Sequence, residues 1–263
     1  MLTMTSISFL RKFIVLVGCG QVMIGWSQTD TCEWTQFFHA NGVVSSEGCF
    51  IQGIPAGVWV SYSDEGIKLS EGQRFNNQPH GEWKFYSDGE LRELAVFREG
   101  QREGVQVLWE DGMKTDSLTW VNNQIQGLAY SFYEDGSTLS KVPYLNGKKE
   151  GKAILYHASG IPNGFRWYKN DNLVASENFN RFDKEGRKTG VWKTFHVSGR
   201  MTESGTYLAG LKHGVFRFFD SRENVVKVEE YKRGEKVIRD EAALPVVEIQ
   251  ERRRDDGSLE ETV

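Results

Sequence analysis

The chain has 263 residues, of which 39% are hydrophobic and 13% aromatic, a composition that supports a folded core and excludes a disordered or collagen-like polymer. Its 28 Gly against 5 Pro favour many short strands joined by turns over long helices. With 32 Lys+Arg and 36 Asp+Glu, the net charge of −4 excludes the basic excess expected of a nucleic-acid-binding protein, and it argues against electrostatic docking on anionic lipid.

The first predicted element is a signal peptide over residues 1–27. A basic pair at residues 11–12 precedes an apolar stretch over residues 13–25, and small residues close the segment up to Ser27. We expect cleavage after Ser27, which makes Gln28 the first residue of a secreted or periplasmic protein. A transmembrane anchor is disfavoured because the run is shorter than the roughly 18 apolar residues that cross a bilayer.

A lipidated N-terminus is the alternative, because Leu16-Val-Gly-Cys19 resembles a bacterial lipobox. Only a brief apolar run precedes Cys19 and hydrophobic sequence continues beyond it, so soluble export is preferred. Membrane association is expected only if Cys19 is lipidated.

Residues 28–56 are predicted to form an N-terminal cap hairpin. The run His39-Ala-Asn-Gly42 is typical of a hairpin turn, and a four-residue loop there would set Cys32 and Cys49 opposite each other. This pair predicts a disulfide in an exported chain, and closing such a loop would stabilise the fold by about 3 kcal/mol. Two free buried thiols are the alternative, and two cysteines alone cannot form a four-ligand zinc site.

Residues 57–237 are predicted to hold about seven units, most of them 23 or 24 residues long, each opening on a glycine. These unit glycines are Gly57, Gly81, Gly104, Gly127, Gly151, Gly190 and Gly214. Five residues after each lies a unit aromatic: Tyr62, Tyr86, Trp109, Phe132, Tyr156, Phe195 and Phe219. The residue two places after the unit glycine is here called the second position. In four units it is a large ring, Trp59, Trp83, Trp192 or Phe216, and in the other three it is Gln106, Ala129 or Ala153.

Two further glycine-rich series predict the turns. Hairpin turns follow the unit aromatic at Gly66, Gly89, Gly112, Gly136, Gly160 and Gly199, with Asn224 near the corresponding place in the last unit. Connector turns precede the next unit at Gly53, Asn77, Gly100, Asn123, Gly147, Gly186, Gly210 and Gly234. Only Gly and Asn occupy this connector position, so we expect a left-handed backbone with φ > 0 there.

A return strand between the two turns is predicted to end on an aromatic anchor at Phe50, Phe75, Phe97, Trp120, Tyr144, Phe182, Tyr207 or Tyr231. One hairpin is marginal alone, so stacked units predict an all-β fold: an elongated single-sheet antiparallel meander of β-hairpin repeats. The second position and the unit aromatic differ in parity, so either a bulge intervenes or both faces carry aromatics.

Two segments depart from the period. The step from Gly151 to Gly190 is 39 residues, and residues 160–189 are interpreted as an abridged extra hairpin with Asn172 as its turn residue, or as a surface insertion. Residues 238–263 are predicted to be a charged, solvated tail in which residues 246–249 could pair as an edge strand.

The stretches Gly81-Glu-Trp-Lys-Phe-Tyr-Ser-Asp-Gly89, Gly190 to Gly199 and Gly205 to Gly214 resemble MORN (membrane occupation and recognition nexus) repeats. The likeness covers residues 34–237 and is closest to the bacterial variant, which occurs in exported proteins and in a group labelled as antitoxins. It implies protein binding, with lipid binding proposed for eukaryotic relatives. It supplies no catalytic residues, because the family is a scaffold with varied roles.

No catalytic, cofactor-binding or metal site is expected. The five histidines fall at places defined by the repeat, and no phosphate-binding loop, metalloprotease helix or nucleophile elbow occurs. The acidic-glycine pairs lack the 12-residue spacing of calcium loops.

The leading hypothesis is therefore a non-enzymatic scaffold of the bacterial envelope or cell exterior that binds another protein or an envelope component. An antitoxin-like protein that neutralises a toxin, and a membrane-surface repeat protein or lipoprotein, are the alternatives.

Overall fold

The computed structural model describes residues 31–238 and two short strands beyond them. Every regular element in this part of the chain is a β-strand, and it contains no helix able to span a membrane. The predicted signal peptide, with Cys19 and the cleavage site after Ser27, lies outside the described residues, as does the suggested edge strand at residues 246–249.

The strands follow one another at the spacing that the repeat predicts. In the N-terminal half they are β1 (Glu33–Phe38), β2 (Val44–Ile51), β3 (Ile54–Tyr62), β4 (Lys68–Phe75), β5 (Gln78–Ser87), β6 (Glu90–Arg98), β7 (Gln101–Arg102), β8 (Gly104–Glu110), β9 (Met113–Val121), β10 (Gln124–Ile125), β11 (Gly127–Phe132) and β12 (Thr138–Leu145). They continue as β13 (Lys148–Lys149), β14 (Gly151–Tyr156), β15 (Pro162–Lys169), β16 (Asn172–Asn178), β17 (Arg181–Phe182), β18 (Lys188–Phe195), β19 (Met201–Leu208), β20 (Leu211–Phe219), β21 (Val225–Lys232), β22 (Glu235–Lys236), β23 (Arg252–Arg253) and β24 (Leu259–Glu260).

The predicted antiparallel meander is confirmed, because each long strand pairs with its neighbours in chain order. Within residues 31–238, strand pairing is interrupted once, between β16 and β17. Strands β1 to β16 form a 16-stranded sheet and β17 to β22 a 6-stranded sheet, whereas the expectation was one continuous sheet. In the tail, β23 and β24 pair only with each other.

The connector turns have the left-handed backbone that was predicted. Asn77 has φ of 61° and Gly100 has φ of 79°, and the residue before each, Asn76 or Glu99, is also left-handed. Two successive positive φ values are typical of type I′ hairpin turns. From Asn77 onward, the backbone N–H of each connector turn donates to a carbonyl of the preceding unit, as Gly100 does to Pro79 at 2.9 Å, so these turns join neighbouring units.

Three turn assignments from the sequence need correction. In the irregular segment the connector turn lies at Asn170 and Asp171, not at Asn172, because Asp171 has φ of 68° and its N–H donates to Lys149. Gly186 instead closes a hairpin turn, where its N–H donates to the Asp183 carbonyl. In the last unit the left-handed hairpin-turn residue is Glu223, one residue before Asn224.

The parity of the aromatic positions reflects aromatic side chains on both faces of the sheet, although a bulge also accompanies each unit aromatic. The register with the return strand shifts immediately before all seven unit aromatics, for instance between Ser61 and Tyr62. The two aromatics of a unit also lie on opposite faces, since the Trp59 ring packs on Gly48 and the Tyr62 hydroxyl bonds Glu47. Successive residues of a strand point to opposite faces, so the second of the two expected explanations holds. The bulges are present, but their extra residue lies on the return strand, as Leu69 does between Lys68 and Ser70, and leaves the parity of the aromatics unchanged.

The core lies along the second positions, which are buried in all seven units whatever residue occupies them. Large rings there lie flat on a glycine of the adjacent strand: a Cβ on Gly72 would sit 2.3 Å from the Trp83 ring, and one on Gly205 would sit 2.4 Å from the Phe216 ring. These glycines belong to none of the three series and were not singled out from the sequence.

One return-strand anchor was assigned wrongly. Phe75 is 53% exposed, and the preceding residue, Arg74, covers the core with its guanidinium between the rings of Trp59 and Trp83, 5.5 and 5.8 Å from their centroids. A cation on two ring faces therefore replaces the aromatic anchor in this unit.

The predicted disulfide between Cys32 and Cys49 is confirmed, with Cα atoms 5.4 Å apart. The turn His39 to Gly42 also forms, because the Gly42 N–H donates to the His39 carbonyl. The register differs from the expectation, since Trp34 lies opposite Cys49 and Cys32 precedes β1.

Candidate functional site

Both sheets expose an apolar residue at the same place in most units, directly after the unit glycine. These side chains, here called the apolar row, are Val58, Val105, Leu128, Val191 and Val215, and each is 40 to 50% exposed. Their neighbours at the second position point to the opposite face and are buried. The row is interrupted at the same position by Glu82 and Lys152.

The unit aromatics are half-buried and take part in the structure of the sheet. The Tyr62 hydroxyl donates to Glu47 at 2.7 Å, and the Tyr86 hydroxyl donates to Glu71 at 2.6 Å. Burial, together with the bond to Glu71, raises the pKa of Tyr86 to about 12. Bonds from Lys68 and Tyr86 hold the pKa of Glu71 below its usual value. These pairs stabilise neighbouring strands and move the pKa values of both groups further from neutral pH.

Two of the histidines connect units. The Nε2 atoms of His39 and His157 lie 3.0 and 2.7 Å from the carbonyls of Tyr62 and Asn180, each 23 residues further along the chain. A carbonyl only accepts, so Nε2 carries the proton in both. Among residues 31–238, no three His, Cys, Asp or Glu side chains come together as metal ligands would.

The interruption between the two sheets is bridged by a buried side chain, Asn180, which is 1% exposed. Its Nδ2 donates to the carbonyls of Pro162 and Lys193, both at 2.8 Å, and its Oδ1 accepts from the Lys193 N–H at 2.6 Å. Its own N–H donates to the Val191 carbonyl at 2.8 Å. An amide group has the same donor and acceptor as a peptide bond, so Asn180 stands in for a missing stretch of strand.

A cleft of about 740 Å³, here called the junction cleft, opens beside Asn180. One wall comes from β14, β15 and the turn between them, and the other from β18 and the turn after it. Phe165, Phe179 and Phe195 pack together at this place, with ring centroids 4.8 to 5.8 Å apart. The lining residues are Lys152, Ile154, Tyr156, Gly160, Ile161, Pro162, Phe165, Asn180, Lys188, Trp192, Lys193, Thr194, Phe195, His196, Val197, Ser198 and Gly199.

The charges that line the junction cleft are all positive. Lys193 forms an ion pair with Glu177, which is not part of the lining. Lys152 places its Nζ 4.3 Å from the centroid of the Phe165 ring, and Lys188 places its Nζ 4.4 Å from that of Trp192. Within the described residues, neither of these two lysines forms an ion pair with a carboxylate.

The junction cleft was not predicted from the sequence. The only signal for it was the 39-residue step between Gly151 and Gly190, which indicated an irregularity but not its shape. The role of Asn180 is not marked by any sequence pattern, because it depends on two strands, β15 and β18, that are distant from each other in the sequence.

The fold and its turns define a β-hairpin repeat protein. Residues 125–146, the unit that begins at Gly127, match the family model described as MORN repeat variant, which confirms the resemblance seen in the sequence. No match was found among curated proteins.

Among solved structures, the chain is distantly similar to the crystal structure of TarM and to that of an S. aureus TarM mutant in complex with Fondaparinux, alpha-GlcNAc-glycerol and UDP. The identities are 12 and 11% and the TM-scores 0.19 and 0.20, over 46 and 56% of this chain. The chain spans only 18 and 21% of those two chains.

Proposed function

We propose that this protein is an exported, non-enzymatic scaffold whose sheet binds another protein or an envelope component. The observation that carries the proposal is the apolar row, in which Val58, Val105 and Leu128 stand half-exposed at one place in their units of the 16-stranded sheet. A partner that covers several such side chains on one face buries them together, and apolar surface of this kind commonly marks an interaction site on a protein.

The spacing of the row suits an elongated partner. Successive units are two strands apart, so their equivalent side chains are separated by about 10 Å across the sheet. A small molecule could reach only one or two of these positions, whereas a protein surface can contact several at once. Export is supported by the disulfide between Cys32 and Cys49, because such bonds persist in oxidising compartments.

The test is affinity capture from a solubilised envelope fraction with wild-type protein and the triple variant Val58→Ser, Val105→Ser, Leu128→Ser. We expect partners enriched by wild type to fall at least about tenfold with the triple variant, since three apolar contacts are lost. Glu82→Ser, at the equivalent position of another unit, is the matched control and should capture as wild type does. Failure to enrich any partner, or full capture by the triple variant, would contradict the proposal.

Export has a separate test. Mass spectrometry of the secreted protein should give an unmodified chain that begins at Gln28, whereas a lipid-modified Cys19 at the N-terminus would establish the lipoprotein alternative.

A further inference from the structure

We propose that the junction cleft binds a small organic anion that carries an apolar ring system. The proposal is independent of the apolar row, because none of the row's side chains lines the cleft.

The cleft is a preformed feature of the fold. It lies between β15 and β18, and its floor is fixed by the buried Asn180 with its bonds to Pro162, Val191 and Lys193. Cavities that need no rearrangement bind small molecules with less loss of conformational entropy. The volume of about 740 Å³ lies within the usual range of small-molecule sites, roughly 300 to 1,000 Å³.

The walls favour an apolar body. Ile154, Ile161, Pro162, Phe195 and Val197 all face the cleft. Sites of this kind are mostly hydrophobic and aromatic and use a few polar groups to orient the ligand. A planar ring system can contact both aliphatic and aromatic walls with little entropy cost of its own.

The charge favours an anion. Lys152 and Lys188 bring two ammonium groups onto apolar rings, and the lining contains no aspartate or glutamate. Ammonium groups held over rings in a half-enclosed cleft are partly desolvated, so a carboxylate, sulfonate or phosphate on the ligand gains a charge-assisted hydrogen bond. A neutral ligand of the same shape cannot form this charge-assisted hydrogen bond.

The probe is 8-anilinonaphthalene-1-sulfonate, followed by its fluorescence on titration into the full-length protein. Its uncharged analogue N-phenyl-1-naphthylamine has the same ring system without the sulfonate, so the pair separates the contribution of charge from that of the rings. We expect the sulfonate to saturate at one site per chain and to bind at least about tenfold more tightly than the analogue.

Three variants locate the site. Lys152→Gln with Lys188→Gln should weaken sulfonate binding by about tenfold and leave the analogue within about twofold, because only the ion pairing is lost. Lys114→Gln with Lys184→Gln removes the same charge away from the cleft and should bind as wild type does. Thr194→Trp, which fills the cleft from an exposed position on β18, should weaken both ligands.

The proposal is overturned if the lysine pair and its control bind the sulfonate equally, if the analogue binds wild type as tightly as the sulfonate, or if Thr194→Trp leaves both affinities unchanged. Circular dichroism of each variant must match that of wild type, which separates loss of the site from loss of the fold. Capture of a protein partner by the apolar row is measured independently, so failure of either proposal leaves the other standing.

Discussion

Gly72 supports the core by having no side chain. It pairs with Trp59 on one side and Trp83 on the other, and the Trp83 ring occupies the space above its Cα. The same arrangement recurs where Gly205 lies beneath Phe216. Aromatic rings that cover strand glycines recover the packing that glycine itself cannot provide.

We expect Gly72→Ala to lower the free energy of unfolding by about 3 kcal/mol, because the new Cβ overlaps the Trp83 ring. Gly89→Ala is the control: its Cβ meets nothing within 4 Å, and the left-handed backbone alone costs roughly 1 kcal/mol. Urea unfolding measures both. In a Trp83→Ala background, Gly72→Ala should change the free energy of unfolding very little. An unchanged loss in that background would show that overlap with the Trp83 ring is not its cause.

Glu229 is the best-connected carboxylate near the C-terminal end of the smaller sheet. Bonds from Lys236, Lys227 and Tyr231 lower its pKa to about 2 from an ordinary value of 4.5. The folded-state pKa lies below the unfolded one, so the stabilisation is fully present above pH 4.5 and is lost as the pH falls towards 2.

Accordingly, Glu229→Gln should lower Tm at pH 7 and much less at pH 2, where the wild-type carboxylate is itself becoming protonated. Thermal melts at the two pH values test this. Glu235→Gln, an exposed residue of β22, controls for the change of net charge. A Tm difference that is the same at both pH values would show that the charge of Glu229 contributes nothing.

At the scale of the strands and turns, the sequence was sufficient wherever a backbone angle restricts the residue type. The connector turns were predicted because φ > 0 selects Gly and Asn, and the disulfide because Cys32 and Cys49 flank a recognisable turn. Asp171 was missed because Asp tolerates the same angle less often, and Gly186 was misassigned because a glycine does not indicate which of two turns it closes. Packing glycines such as Gly72 were missed because their partner is a ring on another strand.

The link between β15 and β18 depends on Asn180 more than on any regular pairing. We expect Asn180→Ala to destabilise the protein by about 2–4 kcal/mol, because it leaves the Lys193 N–H and two carbonyls buried without their partner. Asn76→Ala changes an exposed residue of the same left-handed conformation and should cost much less. Denaturant unfolding measures both, and equal losses would contradict the bridging role.

At the scale of the whole molecule, each unit contacts chiefly the units before and after it, as in other linear repeat proteins. Cooperativity in such proteins passes from neighbour to neighbour. At the interruption between the sheets it depends on the bonds of Asn180, on the packed rings of Phe165, Phe179 and Phe195, and on the ion pair of Glu177 with Lys193. The two sheets are therefore joined by side chains and a short linker, whereas adjacent hairpins within either sheet are joined by paired strands.

We therefore expect the two sheets to unfold separately. Hydrogen exchange followed by mass spectrometry at increasing urea should give one midpoint for peptides from β3 to β12 and another for peptides from β18 to β21. Asn180→Ala should move the two midpoints further apart. A single midpoint shared by both regions, in wild type and variant alike, would mean that the interruption does not divide the molecule.

The connector turns bind each unit to its predecessor through a backbone N–H and carbonyl, with no demand on the side chains involved. A gene segment encoding one whole hairpin can thus be duplicated or lost between two such turns while every surviving hydrogen bond keeps its partner type. The length of this protein is a property that evolution, or an engineer, can adjust in steps of one hairpin.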